Sequence, residues 1–354
     1  MLKRLSFGQI YGLLAILLLA SVVLGAALGV NDFTPPQMLR YIAEGFGWIH
    51  APKADVLPQG IFLTLRLPRV LLAALTGAVL GVSGTLMQGL FRNPIVEPGL
   101  VGTSAGAAFG AALVIVVGGN VAEHMLSHLG SFSVPVVAFV FSFAATLFVY
   151  YISVRGGKVS VFTMLLGGIA INAVCAAGIG FLSFNTSDPQ ARGITSWQLG
   201  TFTTADWHGT LVVAVVFALC FVWALRNGKA LNALMLGEDE AAYLGINPRR
   251  LIFILITVNT VMVAIDTAMV GVIAFIGLVI PHILRMLRSA DYTFLLPASA
   301  LLGAVSMELI DIVARELIKP AELPIGVITA ILGAPVFIWI LIAQQRKGEA
   351  SFYG

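Results

Sequence analysis

The sequence predicts an all-α, polytopic membrane protein of about ten transmembrane helices, and three observations carry that prediction. Hydrophobic residues fill 59% of the 354 positions, only 10% are charged, and the mean hydropathy is +0.98. A soluble domain carries about 25% charged residues, so a soluble enzyme and a disordered regulator are both excluded. The apolar residues come in continuous runs and do not alternate, which argues against a β-barrel. At roughly 20 residues per crossing the chain supplies about ten spans. The net charge of +3 is too small to indicate nucleic-acid binding. Cys175 and Cys220 both fall inside apolar runs and form no disulfide framework.

The spans follow in order. Lys3 and Arg4 precede an apolar run at 10–30, longer than the core of a signal peptide and followed by many more runs, so it is read as the first span. Residues 31–60 form a polar interlude containing Pro35, Pro36, Pro52 and Pro58. The run at 61–90 is too long for one straight crossing and must tilt or project from the bilayer. Further spans are expected at 98–118, 134–154, 161–184, 209–225, 251–272, 273–287, 294–315 and 325–343. The 273–287 segment is short and holds Pro281, which makes it a partial crossing. Fusing 251–287 gives an eight- or nine-span alternative. Ten spans with both ends inside put thirteen of the 20 Lys and Arg residues, among them Lys3, Arg92, Arg226, Arg249 and Arg346, on the cytoplasmic side. The positive-inside rule supports that register; Arg40, Lys53, Arg66, Arg69, Arg192, Arg315 and Lys319 then lie outside. Gly102, Gly106 and Gly110 recur every four residues and form one small helix face, which either packs closely against a neighbour or lines a passage.

Three polar segments are candidates for chemistry. Phe91-Arg92-Asn93-Pro94-Ile95-Val96-Glu97-Pro98-Gly99-Leu100 joins two spans on the inner side; it reads as a proline-stiffened turn with a helix cap or as a pore constriction, since irregular backbone at membrane depth must be buried in protein or line water. The inner loop 231–248 mixes Leu234, Met235, Leu236, Tyr243, Leu244 and Ile246 with the acids Glu238, Asp239 and Glu240. Gly237 and Gly245 divide it into two short helical pieces, and the acids suit the N-terminus of the second. Apolar residues in a solvated loop suggest a docking surface for a cytoplasmic partner. Arg66 and Arg69, with Arg315, lie at outer span ends, either as anchors that snorkel to the interface or as a basic patch for an acidic partner. Asp266 and Glu308 fall within spans, where acids are functional candidates. His124 and His128 have a spacing that suits a metal, but no third ligand is evident. No nucleotide-binding loop of the G-x-x-x-x-G-K-[ST] type is present.

Several segments taken together look familiar: Arg66-Leu67-Pro68-Arg69; Gln88-Gly89-Leu90-Phe91-Arg92-Asn93-Pro94 running into Glu97-Pro98-Gly99-Leu100-Val101-Gly102; Gly245-Ile246; Phe275-Ile276-Gly277-Leu278-Val279-Ile280-Pro281-His282; Asp311-Ile312-Val313-Ala314-Arg315; and Glu322-Leu323-Pro324-Ile325-Gly326-Val327 through Gly333-Ala334-Pro335. In order and spacing, over about residues 60–343, the chain resembles the FecCD-type permeases, the membrane subunits of bacterial ABC importers for iron–siderophore complexes, haem and vitamin B12. The first 59 residues and the tail lie outside the strong match.

The resemblance implies a type II ABC importer permease: a single transmembrane permease domain over residues 1–354, multi-pass in the bacterial inner membrane with both termini cytoplasmic. It implies a homodimer around a central path, two cytoplasmic ATPase subunits that hold the ATP and Mg, and a periplasmic substrate-binding protein above. No cofactor or metal is expected on this chain. Arg66, Arg69 and Arg315 match positions that receive acids of the binding protein. Asn93, Pro94 and Ile95, with Ser160, Val161 and Phe162, match the cytoplasmic gates. Leu234, Met235, Leu236, Gly237, Glu238, Ala241, Leu244 and Gly245 match the helices that couple to the ATPase. The expected cargo is an iron complex, haem or a ferric siderophore, with cobalamin as the alternative. Two readings from other classes stand beside this one. An ion-coupled secondary transporter would use Asp266 or Glu308 and show inverted repeats, which are not found here. A membrane hydrolase would use His124, His128 or His282 but lacks a complete catalytic set.

Overall fold

The computed structural model describes residues 6–29, 31–49, 55–117, 132–155 and 158–352, and it is almost entirely helical. Lys3, Arg4, Lys53, His124 and His128 lie outside the described residues. In chain order the helices are α1 (Phe7–Ala27), α2 (Pro35–Gly45), α3 (Val56–Leu90), α4 (Thr103–Val117), α5 (Ser133–Ser153), α6 (Val161–Phe184), α7 (Asp188–Gln198), α8 (Trp207–Arg226), α9 (Gly228–Leu236), α10 (Glu238–Tyr243), α11 (Pro248–Val270), α12 (Ile276–Leu287), α13 (Tyr292–Glu316) and α14 (Ile325–Phe352). Two-residue strands, Val154–Arg155 and Lys158–Val159, pair antiparallel between α5 and α6. Among the described residues, seven helices are long and apolar enough to cross a membrane, and α4, α12 and the 325–340 part of α14 are shorter apolar helices. These ten match the ten expected runs, with α2, α7, α9 and α10 as short accessories.

The centre of the fold is α3. Its 35 residues exceed a single crossing and are mostly buried. Its first turns include a π-helical stretch at Phe62–Arg66. Small residues let it approach its neighbours. A Cβ at Gly77 would strike the Gly303 carbonyl of α13, one at Gly81 the Ser299 carbonyl, and one at Gly84 the Gly277 carbonyl of α12. Backbones this close are the expected consequence of small faces in lipid. Polar pairs reinforce the same helix: Thr76 Oγ1 donates to Asp266 Oδ1 of α11 at 2.7 Å, Ser83 Oγ to Asn259 Oδ1 at 2.5 Å, and Thr85 Oγ1 to Ser299 Oγ at 2.8 Å. By contrast α1, α5, α6 and α8 leave most of their surface outside the core, as helices facing lipid or a second chain do.

The 251–287 stretch is two helices and not one. After α11 the chain turns at Gly271 (φ +81) and runs without helix to Phe275 (φ +70), then enters the 12-residue α12. This sets aside the fused alternative and leaves α12 shorter than the roughly 20 residues of a full crossing. The break lies inside the protein, as irregular backbone at membrane depth must. Half-buried Glu97 reaches across from the α3–α4 connection and accepts the Phe275 N–H at 2.6 Å.

Candidate functional site

At one end of the bundle, α1, α3 and α13 bring Arg66, Arg69 and Arg315 together around one cavity of about 270 Å³, lined also by Asn31, Lys319 and Glu322. They are not free charges on a rim. Arg66 is 9% and Arg315 7% exposed. Asp311, fully buried, bridges two of them: Arg69 Nη2 donates to its Oδ1 at 2.8 Å, and Arg315 Nε lies 2.9 Å from its Oδ2. Arg69 also pairs with Glu322 at 2.8 Å. The remaining donors close the C-terminus of α1. Arg66 Nη1 reaches the Ala26 and Ala27 carbonyls (3.2 and 3.1 Å), Arg315 those of Leu28 and Gly25 (2.9 and 3.0 Å), and Lys319 Nζ that of Gly29 (3.1 Å). No basic residue of α1 itself occupies its last turn, so cations from α3 and from the end of α13 meet its exposed carbonyls and its negative dipole end. Arg66 also stacks over Phe33, 5.0 Å from the ring centre. Burial and pairing tie these arginines into the scaffold, where they line the shared cavity instead of standing free on a rim. The i, i+4 spacing of Asp311 and Arg315 was visible in the sequence; Arg69 as a third member was not.

On the opposite end, the loop after α8 folds as the two short helices expected, α9 and α10, divided by Gly237 (φ +144) and ended at Gly245 (φ +81). Glu238, Asp239 and Glu240 occupy the first turn of α10, where acids suit the helix dipole. The apolar residues split into two sets. Leu231, Leu234 and Ala241 are buried and hold the pair on the core, whereas Leu236, Tyr243 and Leu244 are 70%, 91% and 64% exposed. Of the expected coupling set, Leu234 and Ala241 thus face the core, while Leu236 and Leu244 face outward. Leu236, Tyr243 and Leu244, with half-exposed Met235, form the outward face. Asn232 was not singled out in the sequence. Its side chain makes a reciprocal pair with the start of α13: Nδ2 donates to Asp291 Oδ1 at 2.7 Å, and the Tyr292 N–H donates to Asn232 Oδ1 at 2.9 Å.

The two expected gate segments differ in build. Asn93-Pro94-Ile95 is a tight turn at the end of α3, where the Ile95 N–H donates to Asn93 Oδ1 at 3.0 Å and Arg92 adopts φ +49. Arg92 also lies 3.9 Å from Glu238 of α10. Ser160 caps α6, accepting from the Thr163 N–H at 3.2 Å. Val161 packs on the core, and Phe162 points outward. The Gly106 and Gly110 face is filled by α5, whose Phe141 and Val137 carbonyls would meet any added Cβ, and Gly102 (φ +89) abuts Ile171 and Ala145. Within the chain that face packs closely against α5. Asp266 is held by Thr76 in the core. Glu308 is buried on α13 against Gly25 of α1, where a Cβ would come 2.8 Å from its Oε2.

Comparison with known proteins accords with this build. The model of the FecCD transport family matches residues 15–343, so the likeness extends well upstream of residue 60 and includes most of α1. The chain is 42% identical over 290 residues to the hemin transport system permease protein HmuU of Yersinia pestis, covering 81% of this chain and 85% of that protein. It is 35% identical over 334 residues to the vitamin B12 import system permease protein BtuC of Salmonella typhimurium, covering 94% of each. Among solved structures, a metal-chelate-type ABC transporter in an inward-facing conformation superposes with a TM-score of 0.80 at 31% identity, over 95% of this chain and 99% of that one. A multi-helix core around α3, two short helices at one end and a family match over nearly the whole length lead to one conclusion: the chain belongs to the FecCD transport family and is an ABC importer permease.

Proposed function

We propose that this chain forms the membrane path of a bacterial inner-membrane importer that moves an iron complex, haem or a ferric siderophore, from a periplasmic binding protein to the cytoplasm. It does so as a homodimer on two ATPase subunits, with both termini cytoplasmic and one permease domain over residues 1–354. ATP and Mg belong to the partner. The observation that carries this reading is the outward face of α9 and α10. Leu236, Tyr243 and Leu244 stand exposed beside three acids on a loop that should face water, and burying such a patch against a partner removes its apolar area from solvent. The likeness to the hemin permease supports haem as cargo. The likeness to the vitamin B12 permease, nearly end to end, keeps cobalamin as the second reading. Asn93–Ile95 and Ser160–Phe162 act as the inner gates in this proposal, and the arginine-lined outer cavity receives an acidic side chain of the binding protein.

The test is co-purification in detergent with the candidate ATPase, followed by ATPase assays with binding protein loaded with haemin or with cyanocobalamin. Leu236→Asp should abolish co-purification while the membrane core still elutes as a single species. Retained assembly in that variant, or equal stimulation by empty and loaded binding protein, would overturn the coupling or the cargo assignment respectively.

A further inference from the structure

A polar path connects the outward helices to the inner end of α3, and it runs through Tyr292. Tyr292, the first residue of α13, is buried. Its backbone N–H is clipped to Asn232 of α9, and its hydroxyl lies 3.5 Å from Met235 Sδ of the same helix. Arg285 of α12 donates to that hydroxyl at 3.3 Å and, from its other nitrogen, to Gln88 Oε1 of α3. Gln88 Nε2 in turn reaches the Gly277 and Leu278 carbonyls at the start of α12, at 3.3 Å each. The Tyr292 ring rests on Gly89, where any Cβ would come within 2.9 Å of it. The Asn93 N–H then donates to the Gln88 carbonyl at 3.2 Å. One buried ring therefore touches α9, α12 and the last turn of α3, immediately before Asn93-Pro94-Ile95.

We infer that Tyr292, clipped by Asn232, is the positioning residue through which displacement of α9 reaches the Asn93–Ile95 turn. This rests on the proposed assignment of α9–α10 as the ATPase contact and of that turn as a gate. Close packing transmits a shift because the groups around the ring have no void to relax into, and the reciprocal amide pair makes α9 and the α13 start move as one. The more direct route, Arg92 to Glu238 at 3.9 Å, is half exposed, and such pairs contribute little. Gly89 has a stated role here: it admits the ring that reads α9.

The experiment uses the full permease–ATPase complex with a spin label on Ile95→Cys in each protomer. Distances are compared in ADP and in ATP with vanadate, alongside haemin transport per ATP hydrolysed. Tyr292→Phe keeps the ring on Gly89 and removes the hydroxyl; Asn232→Ala removes the clip. Each variant should still assemble with the ATPase. The nucleotide-driven shift at position 95 and the transport per ATP should fall about fivefold, the factor expected when one buried hydrogen bond is lost. Tyr292→Phe, which changes no packing volume, keeps the test valid if Asn232→Ala fails to fold. A full shift in both variants overturns the relay and leaves the gate standing. Loss of ATPase assembly in Tyr292→Phe also overturns it, because the residue would then only shape the docking face. A label that does not respond to nucleotide in the unsubstituted complex sinks the gate reading, and the relay with it.

Discussion

Asp311→Asn isolates the charge that holds the arginine cluster. The carboxylate is fully buried and meets Arg69 at 2.8 Å and Arg315 at 2.9 Å. The amide keeps the volume and removes the charge, leaving two buried guanidinium groups without their shared counter-ion. Breaking a buried pair in this way typically costs 3–5 kcal/mol. Both cations retain other partners, Glu322 for Arg69 and the Leu28 and Gly25 carbonyls for Arg315. The lower end, about 3 kcal/mol, is therefore the expected loss. The assay is thermal unfolding in detergent, followed by size-exclusion of the surviving monodisperse protein; the expected drop is on the order of 5–10 °C. Glu322→Gln is the control, since Glu322 is one-third exposed and its loss should cost no more than about 1 kcal/mol. Equal melting of Asp311→Asn and wild type would mean that the arginines are solvated after all, and the scaffold argument would fail.

Three further outcomes follow from the same structure. Gly77→Leu should destabilise the fold by about 1–3 kcal/mol or more through overpacking against the Gly303 carbonyl, measured in the same unfolding assay; an unchanged melting point would refute the close α3–α13 contact. Burial pushes the Asp291 carboxyl up, but hydrogen bonds from Asn232 and Thr293 more than offset this and hold it below the usual carboxylate range. Its stabilising contribution is therefore complete above an unfolded value of about 3.9 and lost as pH falls through the lower native value, so Asp291→Asn should melt lower than wild type at pH 7, and the gap should close in acid. A membrane-impermeant maleimide applied from the periplasm should label Trp48→Cys, at an exposed site between α2 and α3, and spare Tyr243→Cys on α10; the reverse pattern would invert the proposed orientation.

The ten helical runs were legible because lipid imposes a length and a composition on each crossing. The split of α9 and α10 was legible because Gly237 and Gly245 are written into the loop. Side-chain direction was not. Leu234 and Leu236 are equally apolar, yet one is 1% and the other 70% exposed, because the packing of α9 on α3 and α13 decides which way each points. The arginines were correctly placed at one end of the bundle. Their burial depends on Asp311 and on backbone carbonyls of α1, partners up to 290 residues away, which no local pattern encodes. Tyr292 escaped notice for a similar reason, since its importance lies in what three distant helices set around it.

The capped end of α1 has a consequence for how the protein is made. Its free carbonyls are taken up by Arg66, whose partner Ala26 lies 40 residues earlier, and then by Arg315 and Lys319, each 290 residues beyond its partner. At about 5–20 residues per second of synthesis, that interval lasts on the order of tens of seconds. Among the described helices α1 is made early and secured late: until α13 arrives its C-terminal carbonyls have Arg66 and the Phe33 N–H as partners. Nascent chains stalled before residue 311 therefore carry an α1 end without its Arg315 and Lys319 donors and an Arg69 without Asp311.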